Sequence, residues 1–203
     1  MQIELVGVCK SFGEPPKKVL DSLGLVLQPG INCLMGPSGI GKTTLANILA
    51  GLVVPDSGDI SVRTGMAAVE LPDLKVSCVF QEDRLFGFLS ALSNVLFVCK
   101  ERKKNRSRAV ELLDRAGLSD SLNKKAKELS GGMKRRVCIC RALIADYDLL
   151  ILDEPFKGLD DGLKPRIMEL VLDSFRKESG KIALCITHDL SEADFLGGQR
   201  LEL

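Results

Sequence analysis

The 203-residue sequence predicts an α/β fold with a mostly parallel core sheet, an N-terminal antiparallel β subdomain and an inserted α-helical subdomain. Three observations predict it. Strand-sized apolar runs at Asp148 to Leu152 and Lys181 to Thr187 flank a helix with amphipathic spacing, which implies parallel strands covered on both faces. A glycine-rich loop joins another such strand directly to a helix. Between about 83 and 145 the pattern changes to helices. The length fits one domain, 1–203, with about 1–82 and 146–203 as the α/β core with its β subdomain and about 83–145 as the helical subdomain.

Taken in order, Ile3 to Lys10 and Val19 to Leu27 read as strands separated by a turn at Pro15-Pro16, and Pro29-Gly30 turns the chain into Ile31 to Met35. After the glycine-rich loop, Leu45, Ile48 and Leu49 mark one face of a helix that Gly51 stops. The turn Pro55-Asp56-Ser57-Gly58 leads into a short strand at Asp59 to Val62, and Lys75 to Phe80 forms another. In the helical block, Val110, Leu113 and Gly117 follow one pattern, and Met133, Val137, Cys140 and Ile144 a second. Ile167, Leu170 and Val171 face the core from a last helix, stopped by Gly180. There is no internal repeat.

Composition excludes several roles. A formal net charge of +1 offers no general attraction to a phosphate backbone, so no nucleic-acid partner is expected. The apolar runs are strand-sized, short of the ~20 residues that cross a bilayer. Met1-Gln2-Ile3-Glu4 lacks a basic segment and an apolar signal core, so the chain is expected to stay in the cytoplasm. The seven cysteines (Cys9, Cys33, Cys78, Cys99, Cys138, Cys140 and Cys185) sit mostly in apolar runs and read as buried reduced thiols. The basic cluster from Lys100 to Arg108 reads as a solvated helix or loop, with lipid contact as the other option.

Chemistry concentrates in three segments. Gly36-Pro37-Ser38-Gly39-Ile40-Gly41-Lys42-Thr43, with Thr44 behind it, matches G-x-x-x-x-G-K-[ST], the phosphate-binding loop of P-loop NTPases. Its glycines let backbone N–H groups turn toward a polyphosphate at a helix N-terminus. Lys42 would reach the β and γ phosphates of a bound nucleotide, and the Thr43 hydroxyl would ligate Mg²⁺. This loop alone leaves kinases, GTPases and motor ATPases open. The second segment, Asp148 to Glu154, is a buried strand ending in two carboxylates that point to opposite sides. Asp153 would hold Mg²⁺ through its waters, and Glu154 would act as general base on the attacking water.

The third segment is Leu129-Ser130-Gly131-Gly132-Met133. On its own it is a good N-cap, Ser130 capping a helix whose first N–H groups the glycines leave bare. Beside the first loop it makes a second anion site in one chain, and a γ phosphate held between two subunits would use both.

In motif order and spacing the sequence resembles the ATP-binding subunits of ABC transporters over nearly its full length, and Gln81-Glu82-Asp83-Arg84-Leu85 resembles the nitrate, sulfonate and taurine importer group. The resemblance implies that Phe12 stacks on adenine in place of the usual Tyr, although a strand-end core Phe reads equally well from the residues. It implies that Gln81 touches Mg²⁺ or the attacking water, that Asp160 communicates across a dimer, and that His188, the single histidine, contacts the γ phosphate. Lys157-Gly158 departs from the Ser-Ala usual before Leu-Asp. The chain ends at Leu203, shortly after His188, so the last sheet strands are expected to be trimmed or replaced.

The resemblance further implies ATP and Mg²⁺ as cofactors, and hydrolysis by a head-to-tail dimer with a second copy or a homologous subunit. It implies transmembrane permease subunits, an extracytoplasmic substrate-binding protein and a place at the cytoplasmic face of the cell membrane. A soluble ABC ATPase of the iron-sulfur assembly type and an exporter ATPase stay open. A GTPase-like switch module would need N-K-x-D, and Asn123-Lys124-Lys125-Ala126 lacks the Asp.

Overall fold

A computed structural model describes residues 1–64, 67–69, 73–176 and 180–203. Among the described residues its strands form two sheets, one of four strands and one of five. The chain divides into two compact units, Met1–Val76 with Tyr147–Asp153 and Ser179–Leu203, and Ser77–Asp146 with Glu154–Glu178.

In the first unit, β1 (Gln2–Phe12) pairs antiparallel with both β2 (Lys17–Leu27) and β4 (Ser57–Thr64), and β5 (Ala67–Val69) extends the sheet beyond β4. Ile3, Leu5 and Val8 on β1 are buried, with Leu20, Leu25 and Leu27 on β2 and Val62 on β4. The first two strands run further than their apolar residues suggest, because backbone pairing continues through the polar ends to Phe12 and Lys17. β5 left no pattern in the sequence, since three residues are too few to show a period.

The parallel sheet of this unit rests on β3 (Gly30–Met35), β7 (Leu149–Asp153) and β8 (Ile182–Ile186). All five residues of β7 and of β8 are buried, as continuous apolar runs require in a sheet covered on both faces. The register pairs Leu34 with Ile186 and Asp153 with Ile186, so the three strands end in one row. Buried Asn32 bridges this sheet, donating to the carbonyls of Gln28, Gly30 and Ala183 and accepting from the Gln28 N–H.

After β8 come α6 (Leu190–Leu196) and β9 (Gln199–Glu202), which pairs in parallel with β3 and so puts a strand where trimming or replacement was expected. Polar residues hid β9, because only Leu201 of its four points inward. On β3's other side in sequence, α1 (Lys42–Leu49) buries Leu45, Ala46, Ile48 and Leu49, in agreement with its spacing.

The second unit is mostly helical. It carries β6 (Val76–Val79) from Ser77 onward, α2 (Ala91–Leu96), α3 (Arg102–Arg115), α4 (Gly131–Ile144) and α5 (Lys164–Arg176). α5 buries Ile167, Met168, Leu170 and Val171; residues 177–179 lie outside the described residues, and Gly180, the expected stop, has φ of +90°. α4 is buried almost all round from Arg135 to Cys140. Arg102 to Arg108 lie on α3, mostly exposed, with Lys104 paired to Glu101.

Candidate functional site

The phosphate loop follows β3 directly, as its motif requires. Gly36 and Gly41 adopt φ of +145° and +114°, and a Cβ on Gly41 would lie 2.6 Å from Leu20 Cδ2 and 3.0 Å from the Val19 carbonyl. A side chain there is excluded by both conformation and space. Gly41 is the N-cap of α1, so Lys42, Thr43 and Thr44 form the first turn, whose N–H groups have no intrahelical acceptor. Pro37, Ser38, Gly39 and Ile40 are exposed. Lys42 Nζ curls over the loop and donates to the carbonyls of Gly36 (2.7 Å) and Pro37 (2.9 Å).

The sheet register brings a distant carboxylate to this helix. Thr43 Oγ1 donates to Asp153 Oδ2 at 2.9 Å, with Asp153 buried at the end of β7. A hydroxyl and a carboxylate are hard oxygen donors of the kind Mg²⁺ takes, so the pair fits that ion. Among the described residues no group of three or more His, Cys, Asp and Glu forms a metal cluster.

His188 follows β8 at the same row of strand ends. Its turn is pinned on both sides: the Thr187 N–H donates to the Leu34 carbonyl at 3.2 Å, and Asp189 accepts from the Ser191 N–H (2.8 Å) and hydroxyl (2.6 Å). His188 itself is exposed. Phe12 ends β1 at 45% exposure, with Lys10 Nζ 5.4 Å from its ring centroid, so it is no core residue.

The second unit gathers the other predicted residues. Gln81 Nε2 faces Glu154 Oε2 at 3.4 Å, and Lys157 Nζ pairs with the same oxygen at 2.7 Å. Glu154 has φ of +47°, a left-handed conformation that costs an ordinary residue about 1–2 kcal/mol. Ser130 is the N-cap of α4 and accepts from the Met133 N–H at 3.3 Å; Gly131 and Gly132 begin the helix. A Cβ on Gly132 would lie 3.3 Å from the Gly158 carbonyl, so the Ser130 segment and the loop carrying Asp160 pack closely.

Two residues of this unit escaped the sequence reading. Arg135 is 4% exposed, and it donates to the carbonyls of Phe80, Glu154 (2.7 Å) and Pro155 (3.2 Å) and faces Asp83 at 3.4 Å. Arg136 donates to the carbonyls of Ala116 (2.6 Å), Gly117 (3.1 Å) and Gly132 (3.3 Å). Burial pushes the Arg136 guanidinium below its ordinary pKa, while the charge of Asp160 works the other way. Arginines on a helix are ordinarily solvated. The sequence offers only a hint, the unbroken apolar run Val137 to Cys140 beside them, which is wider than one amphipathic stripe.

Every cysteine is free. Cys33, Cys138, Cys140 and Cys185 are buried, and burial pushes Cys138 up to about 11 and Cys140 up to about 12, keeping both protonated near neutrality. Cys9, Cys78 and Cys99 are only partly buried.

Comparison with known proteins adds a consistent result. Residues 20–157 match the family model described as ABC transporter. An aliphatic sulfonates import ATP-binding protein of Burkholderia lata is 40% identical over 195 residues, covering 96% of this chain and 70% of that protein. A taurine import ATP-binding protein of Pseudomonas fluorescens is 36% identical over 201 residues, covering 96% of this chain and 74% of its own. Among solved structures, a dimeric bacterial ABC transporter cassette superposes with a TM-score of 0.85 at 31% identity, over 99% of this chain and 94% of that one. A post-hydrolysis state of an ATP-binding cassette bound to ADP and Pi gives 0.84 at 30% identity, with the same coverage.

Proposed function

The chain belongs to the ABC transporter family as an ATP-hydrolysing, ATP-binding subunit, and from that premise we propose that it works as a head-to-tail dimer which drives import through separate transmembrane permease subunits. The observation that carries the reading is the 2.9 Å bond between Thr43 and Asp153, which joins the phosphate loop to the end of a buried parallel strand. On this reading Gly36 to Thr44 bind the triphosphate, Phe12 stacks on adenine, and His188 contacts the γ phosphate.

Glu154 accepts a proton from the attacking water while Gln81 orients that water. Thr43 and Asp153 would hold Mg²⁺, which when bound offsets phosphate charge. Lys42 places its ammonium on the β and γ oxygens, exchanging two backbone carbonyls for charged partners that bind it more strongly.

Ser130, Gly131 and Gly132 present the bare first turn of α4 to the γ phosphate bound by the other protomer, and Asp160 lies in the loop beside them. ATP then joins two self-complementary surfaces, and loss of the γ phosphate removes the contacts that favour the closed form.

The second unit also exposes an aromatic group, with the Phe86 ring tilted against Phe97 at a centroid distance of 4.4 Å and against Phe88 at 6.1 Å, the last 72% exposed. Exposed aromatics of this kind suit a protein interface, which supports a permease loop as partner. Among the described residues no helix is long and apolar enough to cross a membrane, so the span would come from that partner at the cytoplasmic face. The relatives' names make taurine and aliphatic sulfonates the first cargoes to assay, with an extracytoplasmic binding protein delivering them.

The test is complementation. Lys42→Ala and Ser130→Arg subunits, each inactive alone, should regain partial ATPase activity when mixed, because one composite site then contains both intact halves. No recovery in the mixture would sink the shared-site reading.

A further inference from the structure

We infer that Arg135 is a positioning residue for hydrolysis, clamping the backbone of Glu154 against the backbone that leads into Gln81. The inference rests on the reading of Glu154 as general base.

The argument begins with a helix that buries a permanent charge. Arg135 is 4% exposed, and a guanidinium in that setting needs acceptors along its whole planar fork. It finds them in three main-chain carbonyls from two separate segments. Nη2 donates to Glu154 at 2.7 Å, Nε donates to Pro155 at 3.2 Å, and Nη1 donates to Phe80, the residue before Gln81. Asp83, two residues after Gln81, faces the same Nη1 at 3.4 Å.

Those two segments are the ones whose side chains meet at 3.4 Å, Gln81 Nε2 to Glu154 Oε2. Their spacing therefore has a common reference in one rigid, planar group. The reference matters because Glu154 holds φ of +47°, and such a conformation persists only where its surroundings over-determine it. A Lys in place of Arg135 keeps the charge and loses the fork, so it cannot hold both segments at once.

The clamp also has a second end. Arg135 lies on α4, whose N-cap is Ser130, so a displacement of that end of the helix carries the guanidinium and the Glu154 backbone with it. A subunit would thus sense at its own Glu154 what engages its Ser130 segment.

The experiment compares Arg135→Lys and Arg135→Met with the parent dimer by steady-state ATPase kinetics and by direct binding of a fluorescent ATP analogue. Arg135→Lys should lower kcat about tenfold while the nucleotide Kd stays within about twofold, since a small misplacement of reacting groups slows chemistry without touching the phosphate loop. Arg135→Met should lower kcat further. Adding Gln81→Ala to Arg135→Lys should cost less than the product of the two separate losses, because both act on one spacing.

Parent-like kcat in Arg135→Lys, losses of kcat and affinity in equal proportion, or strictly multiplicative effects with Gln81→Ala would each overturn the inference. Near-parent turnover by Glu154→Gln would sink the underlying reading and this inference with it. A stalled Glu154→Gln beside a fast Arg135→Lys sinks the inference alone.

Discussion

The two units hold their functional groups in different ways. In the first, the phosphate loop is one contiguous stretch whose shape comes from its own glycines, and Thr43 meets Asp153 because β3 and β7 run parallel to a common row of ends. In the second, Gln81, Glu154 and the Ser130 segment come from three separate stretches, and the buried Arg135 on α4, bonded to the carbonyls of Phe80 and Glu154, ties them together. On the proposed reading, the loop that binds the triphosphate takes its shape locally, whereas the groups proposed for hydrolysis are brought together by tertiary contacts.

The comparison breaks most readily at its largest expected effect. Glu154→Gln should lower kcat by roughly 10²–10⁴-fold, the range for losing a general base, and leave nucleotide affinity intact. Lys42→Ala should do the reverse first, weakening ATP binding about 10–100-fold, the equivalent of about 1.5–3 kcal/mol for a charged hydrogen-bonding group. Equilibrium binding beside single-turnover hydrolysis separates the two, and a loss of affinity in Glu154→Gln as large as in Lys42→Ala would erase the distinction between the units.

A smaller effect sharpens the claim that the first unit's loop is shaped by its glycines. Gly41→Ala forces a side chain into φ of +114° and against Leu20 and Val19, so it should destabilise the protein by about 1–3 kcal/mol. A chain of this size should then melt a few degrees lower, about 2–4 °C per kcal/mol, and an unchanged melting temperature would remove the steric argument.

The smallest effect concerns the departure at Lys157. Its ammonium sits 2.7 Å from Glu154 Oε2 but is 59% exposed, and pairs of that kind contribute at most about 1 kcal/mol. Lys157→Ser should therefore change kcat by no more than about fivefold, with the difference shrinking as salt rises. A hundredfold change would mean that this exposed pair, and not the buried Arg135, governs the position of Glu154.

Local pattern and chemistry let the sequence by itself determine the α/β class, the glycine-rich loop after β3, the carboxylate of Asp153 ending β7 and the Ser-Gly-Gly helix start, whereas Glu154, expected on the same strand, follows it at positive φ. These are short-range features: a glycine at positive φ, an apolar run of strand length and a capping serine each act within a few residues. Only the tertiary structure decided that Thr43 and Asp153, 110 positions apart, share a hydrogen bond, because strand register sets that contact. It alone also revealed β5 and β9, too short or too polar to show a period, and the burial of Arg135 and Arg136. An arginine's sequence neighbours say which face of a helix it occupies, but whether water or carbonyls lie on that face depends on what the rest of the chain packs there.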